Sequence, residues 1–231
     1  MRADEPRAAS NQNSHGASVE TKRNAGKWFA LYSALFVIGL AVILAWRLAP
    51  ELTRPLPRDP AFQLPSPFFL ASLPLATRFD FPLGNENGAL AYNAQKFTEN
   101  RHLGDDLNGI GGENSDLGDP IYCVADGRVF FTGEGGSGWG KIVIVLHALL
   151  ENGKRRYVQS YYAHVQEILV HTGDSVARGQ QIATVGTAEG RYLAHLHFEM
   201  REFITPFIGA GYRQNTDGWL NPSEFIAAHR H

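Results

Sequence analysis

Residues 195–200 read HLHFEM, with His195, His197 and Glu199 alternating with Leu196, Phe198 and Met200. In a β-strand, residues two apart share a face. The apolar set then turns to a core, and the two imidazoles project together from the opposite face. A pair so placed can bind a metal jointly, or one ring can hold the metal while the other handles protons. The bland alternative is two half-exposed histidines on a polar strand face. A second cluster lies upstream in RHLGDDLNG, residues 101–109. His102 and Asp106 are four apart, but Gly104, Asn108 and Gly109 argue against a helix, and a turn can bring the two side chains to one point equally well. With one of the strand histidines they supply two nitrogens and a carboxylate oxygen. That is a three-ligand set of the kind a catalytic zinc takes, its fourth position open to water. A third piece is SYYAHVQ, where His164 follows a run of alternating character. If that run lies beside the HLHFEM strand, His164 faces the same cavity. Histidines that are not ligands would then position an acidified water, take its proton and stabilise an oxyanion.

The elements that must hold these residues read as β-structure. PIYCVADGRVFFTG (120–133) is two apolar runs broken at Asp126-Gly127, a hairpin signal. GKIVIVLHALLENGKRRYVQSYYAHV (140–165) is two longer runs around Glu151-Asn152-Gly153, and VHTGDSVARGQQIATVG (170–186) is short strands joined by glycine turns. One short helix is expected at the end, where Asn221 can cap, Pro222 suits the first turn and SEFIAA follows. The class is mostly antiparallel β. His147 reads as a strand residue, and His15, His171, His229 and His231 as exposed. Glu199 reads equally as support for a ligand or as a solvated strand residue.

Ahead of this domain, WFALYSALFVIGLAVILAW (28–46) carries no charge and has tryptophan at both ends. It is about as long as the roughly 20 residues a helix needs to cross a bilayer. A cleavable signal would have an apolar region of about 7–15 residues and a small-residue cleavage site; here the run ends in Trp46-Arg47, so an uncleaved anchor is the expectation. Arginines and lysines before the span place the N-terminus inside and the rest of the chain on the periplasmic or extracytoplasmic side of the inner membrane. The organisation expected is a disordered tail at 1–27, a membrane anchor at 28–46, a Pro-rich spacer at 47–77 and a folded domain at 78–231. Eight of the twelve prolines lie between Pro50 and Pro82. The formal charge of -2 argues against a nucleic-acid partner. The single cysteine, Cys123, excludes an internal disulfide and a zinc site built on two or more thiolates. Lying in an apolar run, it reads as a buried, inert thiol.

HLGDD, YAH and HLHFE, in that order, resemble the signatures of the lysostaphin/LytM-type zinc metallopeptidases, which cut peptidoglycan peptides. The likeness extends over roughly residues 95–200 and includes DPIYCVADGRV and GDSVARGQQIATVG. It implies an antiparallel sheet of the barrel-sandwich kind and one zinc per chain held by His102, Asp106 and His197. It makes His164 and His195 the catalytic pair and peptidoglycan stems or cross-links the substrate. It also admits envelope protein regulators. One rival is a non-catalytic member of the same fold that binds the wall or activates a partner amidase. The other is a lipoyl-like hairpin module, whose modified lysine is missing from GDSVARGQQIATVG, which has Arg178 instead. The loop LNGIGGENSDLGD (107–119) is longer and more polar than the resemblance leads one to expect. It is expected to border the groove, and residues 78–100 either wrap the domain or cover the cleft.

Overall fold

A computed structural model describes residues 14–52, 64–202, 204 and 208–231. The chain divides into two compact units, the first ending at Pro57. In the first, α1 (Ser14–Leu52) is one helix of 39 residues. Its stretch Lys27–Arg47, 21 residues long, is apolar and long enough to cross a membrane. Residues 14–27, expected to be disordered, instead continue this helix. Alanine, glutamate, lysine and arginine are good helix formers, and the apolar run beside them supplies the turns that a short segment could not nucleate alone. Residues 1–13, the rest of that expected tail, lie outside the described residues, as do 53–63 of the expected spacer.

The second unit is built on ten strands, all paired antiparallel: β1 (Ala91–Gln95), β2 (Asp105–Gly109), β3 (Pro120–Tyr122), β4 (Gly127–Glu134), β5 (Lys141–Glu151), β6 (Lys154–Ile168), β7 (Ser175–Val176), β8 (Gln181–Val185), β9 (Leu196–Arg201) and β10 (Trp219–Leu220). The main path runs β1-β2-β9-β6-β5-β4-β7, with β10 on β9, and β8 joining β3 to β6. The expected long hairpin is β5–β6, turning at Asn152 and Gly153, both with positive φ. That is the two-residue turn whose twist suits a hairpin. α3 (Pro222–Ala228) is the expected terminal helix, its Asn221 side chain accepting from the Glu224 N–H at 3.2 Å.

The sheet is buried on both faces at its centre. Val143 and Val145 of β5 join a core with Val129, Ile182, Leu196 and Phe198, while Ile144 packs with Tyr161, and Leu146 and Ala148 pack with Leu73. Leu73 belongs to a segment that follows α2 (Pro67–Ala71) and lies on the sheet. The Ala76 N–H donates to Ala148 O at 2.7 Å, and Phe69 and Leu70 pack against the same patch. The last part of the stretch expected to be a spacer is thus packed on the domain, because Phe69, Leu70 and Leu73 give it an apolar side to bury.

His147 of β5 is fully buried between the Asp126 carbonyl, which accepts from Nδ1–H at 3.0 Å, and the Ser160 hydroxyl, which donates to Nε2 at 2.8 Å. Burial, against weaker opposing help from Asp126, pushes its pKa down to about 4. The unfolded chain therefore protonates this ring first as pH falls through 6.5, while the folded chain stays neutral down to about 4. Stability is full above pH 6.5 and falls across that window. Between pH 7 and 5 the His147 contribution is about 2 kcal/mol. Urea unfolding of the wild type and of His147→Gln at both pH values should show the variant losing about that much less. Parallel losses would place the acid sensitivity elsewhere.

Candidate metal centre

β2 and β9 set Asp106 opposite His197, and β6 sets Ala163 beside His197 on its other flank. The neighbour relation on which the role of His164 depended is therefore present. His102 precedes β2 and reaches the same point through Gly104. A Cβ there would come within 2.5 Å of the Phe198 carbonyl oxygen and 3.1 Å of His197 Cε1, so only glycine lets the chain approach β9 this closely. His102 Nε2, His197 Nδ1 and Asp106 Oδ1 then converge, at 2.9 Å between the rings and 3.2 and 2.9 Å from the carboxylate to His102 and His197. Among the described residues this is the one group of three histidine, cysteine or acidic side chains whose ligand atoms lie close enough to hold an ion.

The donor set fits zinc. A tetrahedral site with bonds of roughly 2.0–2.1 Å has ligand-to-ligand edges of about 3.3 Å, so a small opening of the cluster admits the ion. Glu199 Oε1, 3.0 Å from His197 Nε2, keeps a proton on that nitrogen, so the proton given up on metal binding is the one on Nδ1, which faces the cluster. Glu199 is fully buried, a correction to the solvated alternative. It also accepts from Arg201 Nε at 2.6 Å and from Trp219 Nε1 at 2.9 Å, and the Arg201 guanidinium lies 3.6 Å from the Tyr161 ring centre. The whole of β9 is buried, because the side opposite the apolar core is covered by this network rather than by water.

Charge follows the same geometry. Burial opposes ionisation of Asp106, but hydrogen bonds and charge from His102 and His197 outweigh it and hold its carboxyl well below the usual range. Burial likewise disfavours a charged His197, yet Asp106 and Glu199 raise its pKa to about 9. A cation at Nδ1 has to displace that proton. His164 is pushed the other way, to about 3, by burial and then by the neighbouring His197 and His195.

His164 sits at a break in the β5–β6 register with φ of +62°, and its backbone N–H and Nδ1–H both reach the Trp139 carbonyl at 3.0 Å. That is a left-handed conformation costly for a residue with a Cβ, stored at the cleft wall. His195 donates from Nδ1 to Leu193 O at 2.8 Å. Its Nε2 is 3.7 Å from Asp106 Oδ1, and its ring centre is 4.7 Å from that of His164. Both rings line a cleft of about 570 Å³ together with Asp106 and His197, walled by Trp139, Tyr192, Tyr212 and Gln95. All five residues expected from the sequence therefore meet at one site. Sequence reasoning missed the aromatic walls and the Arg201–Trp219 end of the network. The signal available for Arg201 was a third polar residue at the same period as His197 and Glu199. Tyr212 and Trp219 come from a segment without periodic pattern. Residues 78–100 wrap the domain through Phe79 and Leu83 and bring Gln95 to the cleft, where it accepts from the Tyr212 hydroxyl at 2.9 Å. Cys123 is buried and its thiol is pushed up to about 12 by burial, as expected of an inert core residue.

The mostly antiparallel β fold thus brings histidine and aspartate ligand atoms together beside an open cleft. Residues 107–213 match the sequence profile of peptidase family M23. Over 84 residues the chain is 37% identical to lipoprotein NlpD of Yersinia enterocolitica, covering 36% of this chain and 78% of that protein. The chain belongs to peptidase family M23. The profile match takes in His164, His195 and His197, with His102 and Asp106 just before it. The murein hydrolase activator NlpD of Escherichia coli strain K12 is 38% identical over 84 residues, 36% of this chain and 20% of that one. Lipoprotein YgeR of the same strain is 34% identical over 84 residues, 36% of this chain and 30% of that one. The chain thus spans less than a third of the length of these last two relatives. Among solved structures, the catalytic domain of lysostaphin from Staphylococcus simulans is 20% identical with a TM-score of 0.40, covering 70% of this chain and 98% of that one. A zinc-containing peptidase from Vibrio cholerae is 23% identical with a TM-score of 0.42, covering 57% and 38%.

Proposed function

We propose that this protein is a membrane-anchored zinc metallo-endopeptidase that hydrolyses peptide bonds in peptidoglycan stems or cross-links. The observation that carries the reading is that the His102, Asp106 and His197 cluster opens, through Asp106 and His197, on the cleft that His164 and His195 line. His102, Asp106 and His197 would hold one zinc. Bound there, zinc supplies the Lewis acid that polarises a carbonyl and makes water a nucleophile near neutral pH. The chain's own groups do the rest. His164, neutral because its pKa lies near 3, has Nδ1–H committed to Trp139 and keeps Nε2 to accept a hydrogen bond and orient water. His195 has Nδ1–H committed to Leu193 and keeps Nε2 for taking up a proton and returning it to the leaving amine. Trp139, Tyr192 and Tyr212 on the cleft walls give a peptide apolar surfaces to lie against.

A second reading, that the domain activates a partner amidase without hydrolysis of its own, is favoured by the relatives named murein hydrolase activator. By name the curated relatives support this reading more than hydrolysis. Digestion of purified wall by the full chain with zinc, with chelator, and with an amidase added separates the two. Peptide-bond products lost on chelation and restored by zinc support the peptidase. No products alone, with stimulation of the amidase, supports the activator.

For placement, α1 serves as a single-pass anchor in the inner membrane, with the β domain on the periplasmic side. Several relatives are named lipoproteins. The apolar stretch Lys27–Arg47, long enough to cross a membrane, supports the anchor. Envelope proteins are the natural class of regulators in that compartment.

A further inference from the structure

The loop after β2 does something other than line the groove. Residues 110–119 run through successive turns, from the Ser115 N–H to Gly112 O and from the Asp119 N–H to Asp116 O, and the Val185 N–H then donates to Asp119 O. The Asp116 carboxylate accepts from the Gly109 N–H at 3.0 Å and ties the loop to the end of β2. From the end of β2 and from this loop, Asn108 and Asn114 reach across to one residue. Asn114 Oδ1 accepts the Ala194 N–H at 2.7 Å, and Asn108 Nδ2 donates to the Ala194 carbonyl at 3.1 Å.

Ala194 is fully buried and precedes β9, which begins at Leu196. Its backbone groups lie where the ladder has not yet started, and buried groups of this kind must be paired. The two asparagines pair both. The next residue is His195, whose own N–H makes a long 3.3 Å contact to Gly186 O and whose ring is otherwise fixed by Leu193 O, one residue before Ala194. The stretch Leu193–His195 is therefore aligned from outside the strand, by a loop that the resemblance to the peptidases did not predict.

We propose that Asn108 and Asn114 are positioning residues that fix the Ala194 peptide groups and thereby set the His195 imidazole against Asp106 and His164. This rests on the reading of His195 as a catalytic group. The polarity of the two bonds gives the test its shape. Asn114 acts as an acceptor, so Asn114→Asp keeps the bond and Asn114→Ala loses it. Asn108 acts as a donor, so Asn108→Asp sets a carboxylate against a carbonyl and is worse than Asn108→Ala.

The experiment uses the detergent-solubilised full chain with zinc content, thermal unfolding, exchange of the Ala194 amide and the His195 ring resonances measured alongside wall hydrolysis. Asn114→Ala and Asn108→Asp should accelerate Ala194 exchange and shift the His195 resonances. They should also lower kcat about tenfold or more with KM and zinc content near wild type, because a small misplacement of a catalytic group is costly. Asn114→Asp should restore most of both readouts. Wild-type kcat in Asn114→Ala and Asn108→Asp, despite faster exchange, would overturn the proposal. So would equal damage from Asn114→Asp and Asn114→Ala. Lack of hydrolysis by the zinc-loaded wild type would overturn the peptidase reading instead, and the claim would then stand or fall on Ala194 exchange and the His195 resonances.

Discussion

His197→Ala is expected to lose both zinc and wall hydrolysis, whereas His195→Ala should keep zinc near one per chain and lose roughly 10²–10⁴-fold in turnover. The two residues share a strand-derived register but not a task. His197 Nδ1 is within 2.9 Å of both His102 Nε2 and Asp106 Oδ1, so its removal takes away a proposed ligand. His195 Nε2 stands 3.7 Å from Asp106 Oδ1, beside the cluster rather than in it. His164→Ala should resemble His195→Ala. The double variant should cost less than the product of the single losses, because both rings act on one transition state. Elemental analysis and single-turnover hydrolysis read these effects separately. Zinc loss in His195→Ala with retention in His197→Ala would reverse the assignment. Undiminished hydrolysis in either catalytic variant would remove it from the mechanism.

Much of this site was legible because its residues obey short-range rules. The period of two in HLHFEM announced that His197 and Glu199 share a face, and the glycines of RHLGDDLNG announced a turn rather than a helix. The β5–β6 hairpin and the Asn221 cap were likewise written in local turn and capping chemistry. Three features were not legible, each for a physical reason. Whether the polar face of β9 meets water depends on what covers it, and Trp219, which helps cover it, arrives from beyond a segment without periodicity. The packing of residues 67–76 on the sheet depends on an apolar patch formed by Leu146 and Ala148, far off in sequence. The grip of Asn108 and Asn114 on Ala194 is a side-chain-to-backbone contact across the fold, and nothing in the composition of a polar loop distinguishes such a brace from a solvated lid.

Glu199→Ala is expected to weaken zinc binding 10- to 100-fold and to destabilise the zinc-free protein by about 3–5 kcal/mol, two effects with different origins. The first comes from His197. With its Nε2–H no longer held at 3.0 Å by Glu199, the ring is free to change tautomer and orientation, so Nδ1 is presented for binding only part of the time. The second comes from Arg201, fully buried with its Nε 2.6 Å from the Glu199 carboxylate. Burial works against the ionised carboxyl, and the Arg201 charge outweighs that and lowers the Glu199 pKa, so the pair is ionised and each charge depends on the other. Removing one partner strands the other away from water. The two origins can be pulled apart. Glu199→Leu combined with Arg201→Met removes both charges and keeps apolar bulk, so it should recover most of the stability while zinc affinity stays low. Chemical unfolding of the zinc-free protein and chelator competition measure the two quantities independently. Recovery of zinc affinity in the double variant would mean that Glu199 serves only to neutralise Arg201, and that the orientation of His197 is set by the Trp139 ring packed 5.2 Å from it.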